Sequence, residues 1–183
     1  MTQMTMATPF GEFALLERSR HLMVACPADN RSTYEHLFTE ASFHPSPLLL
    51  QAERELTEYL EGRRFHFDVP LGLGVFDWNM GTPFEKRAWQ TLTRIAFGRT
   101  ISYKEQALWM GNPKAIRAVA RANGKNPLSI FVPCHRVIGS NGALTGYAGG
   151  LKMKAFLLKL ESQAIDSPLA RAQEHHFAQG LRI

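Results

Sequence analysis

Pro133-Cys134-His135-Arg136 stands at the end of a short apolar run, Ile130-Phe131-Val132. The chain of 183 residues has only two cysteines, Cys26 and Cys134. A free thiol is mostly protonated at neutral pH, and the thiolate is the nucleophile. A histidine within reach can remove the proton, and the nearby Arg136 guanidinium favours the anion that remains. Pro133 fixes the backbone before the thiol. Gly139, Gly142 and Gly146 after it let main chain pass close to a planar ligand. The chemistry implied is attack of sulfur on an electrophile. An isolated Cys-His pair does not establish it, because adjacent residues in a strand point to opposite faces. A buried structural cysteine beside a chance histidine has the same local sequence.

The distribution of charge narrows the choice of electrophile. Residues 81 to 159 hold 13 Lys/Arg against two acids, Glu85 and Glu105, a balance of +11. Residues 1 to 80 carry 6 basic and 11 acidic side chains, a balance of −5, and residues 160 to 183 carry −1. The net charge of +5 therefore conceals a basic stretch joined to an acidic one. Such asymmetry predicts a polyanion site confined to the basic half.

With 45% hydrophobic and 20% charged residues, the chain can bury one sizeable core or two small ones sharing an interface. MTQMTMATPF lacks a charged leader region, and no stretch approaches the roughly 18 apolar residues of a membrane span. Two cysteines form no disulfide framework. The expectation is a cytoplasmic protein with no membrane partner.

The elements that must position the thiol follow from periodicity. Phe10 to Leu16 and His21 to Cys26, split by a polar turn, predict a β-hairpin. Ser46-Pro47 reads as an N-cap followed by proline in the first turn. Leu48, Ala52, Leu56 and Leu60 then mark the inner face of a helix that Gly62 can end. Residues 65 to 80, broken by Pro70 and Gly72, read as an extended link. Thr82-Pro83-Phe84-Glu85 opens a second helix, expected to run to Phe97 with Trp89, Leu92 and Ile95 inward. Ser102-Tyr103-Lys104-Glu105 is a capping box for a third, ending at Met110-Gly111. Asn112-Pro113 starts a fourth, through to Asn123-Gly124. These last two describe a helix-turn-helix. The fourth helix carries Lys114, Arg117, Arg121 and Lys125, with alanines between them. A slim basic helix of this kind fits a DNA groove. A last helix is expected from Leu151 to Glu161. The fold class is α+β. Its expected divisions are an N-terminal domain, 1–80, a mostly helical DNA-binding domain, 81–163, and a tail, 164–183.

Ser129-Ile-Phe-Val-Pro-Cys-His-Arg-Val-Ile138 closely resembles the active-site signature of the O6-alkylguanine-DNA alkyltransferases. The resemblance runs from about residue 81 to 161. It takes in Gly-Thr-Pro-Phe84, Ser102-Tyr103, Gly111-Asn-Pro-Lys-Ala115, Arg117-Ala-Val119, Asn126-Pro127, Gly146-Tyr-Ala-Gly-Gly150 and Leu157-Leu-Lys-Leu-Glu161. It implies a small ribonuclease-H-like N-terminal domain and a winged-helix-like C-terminal one. The partner it implies is double-stranded DNA carrying O6-alkylguanine, met by a monomer without a cofactor.

The roles implied by the resemblance fall on individual residues. Cys134 would take the alkyl group from the O6 position of guanine, less readily from O4 of thymine, and be consumed. His135 and Glu161 would form a relay with it, His135 acting as base through water. Tyr103 would hydrogen-bond the departing guanine. Asn126 would hold the helix-turn-helix against the cysteine strand. Arg117 would fill the space of the extruded nucleotide, and Lys114, Arg121, Lys125 and Arg136 would meet the DNA. Val137, Tyr147 and Ala148 would wall the pocket. The alkyl carbon is inaccessible in a stacked duplex, so base flipping is required.

Two departures qualify the resemblance. Ala148 stands where some relatives carry serine, leaving only backbone N–H for the base oxygen. Some relatives bind zinc in the N-terminal domain, but Cys26 with scattered His21, His36, His44 and His66 makes a poor four-ligand set, and no metal is expected. Cys134 argues against the DNA-binding-only branch, in which tryptophan replaces it. The alternatives are a helix-turn-helix regulator without transfer activity and a cysteine hydrolase that turns over.

Overall fold

The computed structural model describes residues 1–73 and 80–165. The N-terminal half is a four-stranded sheet of order β3-β2-β1-β4, made of β1 (Thr2–Thr8), β2 (Gly11–Arg18), β3 (His21–Pro27) and β4 (Ser42–Phe43). β1, β2 and β3 pair antiparallel, and β4 joins β1 in parallel. The expected hairpin is β2–β3. Ser19 and Arg20 connect it with φ of 52° and 62°, the doubly left-handed turn whose twist matches two-residue hairpins. Strand β1 is an addition to the expected elements, although Met4 and Met6 alternate with threonine and alanine at strand period and are buried.

α1 (Glu35–Thr39) follows a short 3-10 segment at Ala28–Tyr34. α2 (Pro47–Leu60) is capped as expected: the Ser46 hydroxyl accepts from Leu49 N–H at 3.1 Å. The helix packs across β1, β2 and β3. Its buried stripe is Leu49, Ala52, Leu56 and Tyr59 rather than Leu48, Ala52, Leu56 and Leu60. Spacings of three and four keep to one face of a 3.6-residue helix, whereas repeated fours drift off it. The rotation turns Tyr59 inward.

The stretch expected to be a bare link is anchored where it is described. Buried Glu55 accepts from Asp68 N–H at 2.8 Å and Val69 N–H at 3.2 Å, and Phe67 stacks on Tyr59 and Phe131. The rest of that expectation, 74–79, lies outside the described residues, as does most of the tail.

α3 (Pro83–Leu92) opens with a complete capping box between Thr82 and Glu85. It stops at Leu92, not Phe97. Ile95 C=O accepts from Arg136 Nη1 at 2.6 Å, and Gly98, at φ 68°, gives its N–H to Glu161. The last turn has been recruited by side chains from further along the chain. α4 (Tyr103–Trp109) has the expected capping box and ends at Met110-Gly111. α5 (Ile116–Gly124) begins later than expected, so Lys114 lies in the turn before it and Lys125 caps its end. Buried Gln106 and Asn123 exchange amide hydrogen bonds at 3.1 and 2.7 Å, which lock α4 on α5. The Trp89 indole donates to Ala122 C=O at 2.8 Å and fixes α3 on the same helix.

Two-residue strands β5 (Ile101–Ser102) and β6 (Val137–Ile138) pair in parallel, and α6 (Gly150–Ala164) closes the described chain. The halves share one buried core. Ala25 on β3 accepts from Ser129 N–H and donates to Pro127 C=O, both at 2.8 Å, so the segment leading to Cys134 continues the sheet edge. Among the described residues no helix is long and apolar enough to cross a membrane.

Candidate active site

Cys134 lies in a 3-10 turn, Cys134–Arg136, and not on a strand. The turn follows a tight reversal in which Val132 N–H bonds Leu128 C=O at 2.8 Å and Ile130 adopts φ 72°. A β-branched residue in that region is strained by about 1–3 kcal/mol. Asn126 is the brace. Its amide nitrogen donates to Val132 C=O at 2.8 Å and to Cys134 Sγ at 3.1 Å, while its oxygen accepts Leu128 N–H at 3.1 Å.

The thiol is 4% exposed. Burial pushes its pKa up; the Asn126 hydrogen bond, the Lys154 ammonium and the N–H groups of Cys134 and His135 act in the opposite direction. Its resting state is therefore the thiol, with donors in place for the anion formed during reaction. The positive charge near the sulfur is Lys154, which sequence reasoning missed. Lys154 is fully buried on α6, donates to Val137 C=O at 2.6 Å and Thr145 C=O at 2.8 Å, and is pushed down by burial to about 8. Nothing in the local pattern marks it, since lysines at helix starts are ordinarily solvated.

His135 is wholly buried, and burial holds its pKa below the ordinary value, against the pull of Glu161. Nε2 lies 2.9 Å from Glu161 Oε1. A carboxylate only accepts, so Nε2 carries the hydrogen and Nδ1 the lone pair. Nδ1 has no protein partner among the described residues. Burial alone would raise the Glu161 pKa; the His135 hydrogen bond and the Arg136 guanidinium overcome it and hold the carboxyl at about 2.

Arg136 requires a correction. The expectation is that it favours the thiolate and meets DNA. Instead it is 7% exposed, and its guanidinium faces Glu161 at 2.8–3.0 Å and the Ile95 carbonyl. A buried guanidinium whose hydrogens are shared this way cannot grip a phosphate. Its work is to keep Glu161 ionised.

The remaining expected residues divide into two groups. Tyr103 donates to Thr145 C=O at 2.9 Å and lies beside the 145–149 loop, with Lys154 Nζ 5.7 Å from its ring centre. Tyr147 sets its ring edge-on to His135 at 6.4 Å. Val137 is buried with its carbonyl on Lys154, and exposed Ala148 accepts Asn30 Nδ2 at 2.8 Å. Cys134, His135, Glu161, Tyr103, Asn126, Val137 and Tyr147 thus converge. Arg117, Arg121 and Lys114 lie outside that cluster, exposed on and before α5. Lys125, at the end of α5, pairs with Glu85 at 2.7 Å while remaining exposed. A cleft of about 660 Å³ behind the cysteine turn, walled by Pro133, Arg136, Phe67, Phe97 and Phe131, does not include Cys134. Among the described residues no three His, Cys, Asp or Glu side chains form a metal-binding group.

A buried cysteine hydrogen-bonded by Asn126, a buried histidine paired with a carboxylate and a basic helix-turn-helix in the same molecule fit a DNA-directed, cysteine-dependent group-transfer protein. Comparison with known proteins specifies the family. Residues 83–163 match the family model described as 6-O-methylguanine DNA methyltransferase, DNA binding domain. The chain is 42% identical over 159 residues to the constitutive methylated-DNA–protein-cysteine methyltransferase of Bacillus subtilis, covering 86% of this chain and 93% of that one. It superposes on Mycobacterium tuberculosis O6-methylguanine methyltransferase with TM-score 0.79 and 39% identity, over 92% and 96% of the two chains. The crystal structure of Mycobacterium tuberculosis OGT in complex with DNA matches with TM-score 0.79 and 38% identity, over 90% of this chain and 94% of that one. The chain belongs to the methylated-DNA–protein-cysteine methyltransferase family.

Proposed function

We propose that this protein repairs duplex DNA by moving the alkyl group of O6-alkylguanine, and less readily of O4-methylthymine, onto Cys134. The observation that carries the reading is the buried Cys134 sulfur held by Asn126 beside a His135 whose Nε2 is committed to Glu161. The free lone pair of Nδ1 takes the thiol proton, directly or through a water. The S–C bond forms as the O6–C bond breaks. Guanine leaves as an anion and takes a proton from the imidazolium, directly or through water, which returns His135 to its neutral form. The thioether has no leaving group, so each molecule acts once.

Tyr103 stabilises the developing guanine anion by turning its hydroxyl from the Thr145 carbonyl to the base. Val137, Tyr147 and the backbone at Ala148 wall the pocket. Arg117, exposed early on α5, fills the vacated stack, and Lys114, Arg121 and Lys125 hold phosphates. The surface ion pair of Lys125 with Glu85 is worth little and exchanges readily for phosphate.

The architecture supports reading residues 1–80 as a ribonuclease-H-like domain, 81–163 as a winged-helix-like DNA-binding domain and 164–183 as a tail. The same reading has the protein act as a monomer in the cytoplasm, where both thiols stay reduced.

The test is incubation with a duplex containing O6-methylguanine, followed by intact-protein mass and peptide mapping. One methyl on Cys134 per protein is expected. Several lesions repaired per molecule would point to hydrolysis, and DNA binding with no adduct to a regulator; either overturns the reading.

A further inference from the structure

Tyr59 enters the site from the opposite half of the chain. It lies on the buried stripe of α2, is wholly inaccessible, and donates its hydroxyl to Glu161 Oε1 at 2.6 Å. The phenol oxygen is also 3.3 Å from His135 Nε2. Phe67 and Phe97 hold the ring, with centroids at 5.3 and 6.1 Å, so the hydroxyl cannot swing away. We infer that Tyr59 is a positioning residue for the transfer, reinforcing the tautomer of His135 and tuning its basicity from the N-terminal half.

Donors and acceptors around Nε2 decide the tautomer. The Tyr59 proton is committed to Glu161, so the phenol oxygen offers His135 only a lone pair. Both groups facing Nε2, the carboxylate and this oxygen, are then acceptors. The hydrogen must sit on Nε2, and Nδ1 is left as the base. The phenol also draws charge from Glu161 Oε1, the atom that would otherwise stabilise an imidazolium. Burial is the main reason His135 is neutral at rest, and Tyr59 adds to it by moderating Glu161. Burial holds the phenol itself well above its ordinary pKa, so it remains a donor through the working range.

The other groups facing His135 are Cys134 and Arg136 on its own turn, Glu161 and Lys154 on α6, and Tyr147. Arg136 and Lys154 push the imidazole toward neutrality and Glu161 toward charge. Among the described residues, Tyr59 is the group that the sheet-and-helix half contributes beside His135 Nε2, and it acts by moderating Glu161.

The experiment measures single-turnover alkyl transfer by the full chain from a methylated duplex across about pH 5 to 9, the range in which histidine titrates. In Tyr59→Phe, Glu161 Oε1 loses a donor and His135 holds its proton harder. The midpoint of the acid limb should rise by about half a unit or more, and the plateau rate should fall severalfold. Placing 3-fluorotyrosine at position 59 makes a stronger donor and should move the midpoint the opposite way. It changes one hydrogen for one fluorine, so it remains informative if Tyr59→Phe folds poorly. A midpoint unmoved by the fluorinated residue would overturn the assignment, even if Tyr59→Phe lowered the melting temperature. The inference rests on Cys134 being the alkyl acceptor. Failure of that reading would appear as no adduct on the wild-type protein, and failure of this one as normal adducts with an unmoved profile.

Discussion

Arg136 and Glu161 form a buried ion pair in which Nε is 3.0 Å from both carboxylate oxygens and Nη2 is 2.8 Å from Oε1. Removing one member of such a pair leaves the other charged and desolvated, which costs about 3–5 kcal/mol. Arg136→Ala should therefore lose about that much stability in urea denaturation. The salt dependence of its DNA affinity should match wild type. A smaller salt slope with unchanged stability would return Arg136 to the DNA surface.

Glu161, held by the His135 hydrogen bond as well as by Arg136, sets an acid limit. The Glu161 carboxyl titrates near 4.5 ordinarily and at about 2 when folded. The folded state binds this proton less tightly than the unfolded one. Its contribution is thus complete above pH 4.5 and is lost as pH falls toward 2, in total about 3 kcal/mol. Denaturation series at stepped pH should show the loss in that window. Glu161→Gln should start less stable and show a flatter acid limb.

Much of this was legible in the chain. Ser46, Thr82 and Ser102 cap their helices as their neighbours require, and the basic run around Arg117 lies on the exposed side of α5. What escaped were side chains whose partners lie far away in sequence. Arg136 looks like a DNA contact until Glu161, 25 residues on, and the Ile95 carbonyl are seen around it. Lys154 looks solvated until Val137 and Thr145 turn their carbonyls to it. Tyr59 falls on the buried stripe only because α2 rotates from the expected face. Local rules governed the caps; long-range polar pairing governed the site, and it also cut α3 short.

Asn126→Ala should affect two quantities at once. Leu128 N–H would be buried without its partner, at about 1–3 kcal/mol, whereas Val132 C=O would keep the Cys134 N–H. The sulfur would lose a donor that favours its anion, a hydrogen bond to a charged group worth tenfold to a hundredfold in rate at about 1.5–3 kcal/mol. Melting temperature and single-turnover rate measure the two separately. A stable variant reacting at full speed would remove Asn126 from the site.

Arg117→Ala should slow transfer from a paired lesion far more than transfer from the free alkylated base. In the proposed function the arginine acts on the duplex and not on the chemistry. Competition kinetics with both substrates in one tube would measure the ratio, and equal losses would refute the stacking role.

Lys114→Ala and Arg121→Ala should each weaken DNA binding about equally across sequences, and each should lower the slope of log affinity against log salt by about one. Fluorescence titrations at several salt concentrations provide the measurement. Unchanged slopes would place the phosphates elsewhere.

Ala25 grips Pro127 and Ser129 through its own peptide group, one residue from the asparagine that holds the sulfur. Melting of that sheet edge would release Asn126 and Cys134 while leaving α4 and α5 clasped by Gln106 and Asn123. A half-melted molecule would still sit on DNA but pass over the lesion. An acceptor that works only once is most harmed by stray electrophiles reaching its sulfur. Here, competence to react would depend on the contact between the N-terminal sheet and the segment that carries Cys134.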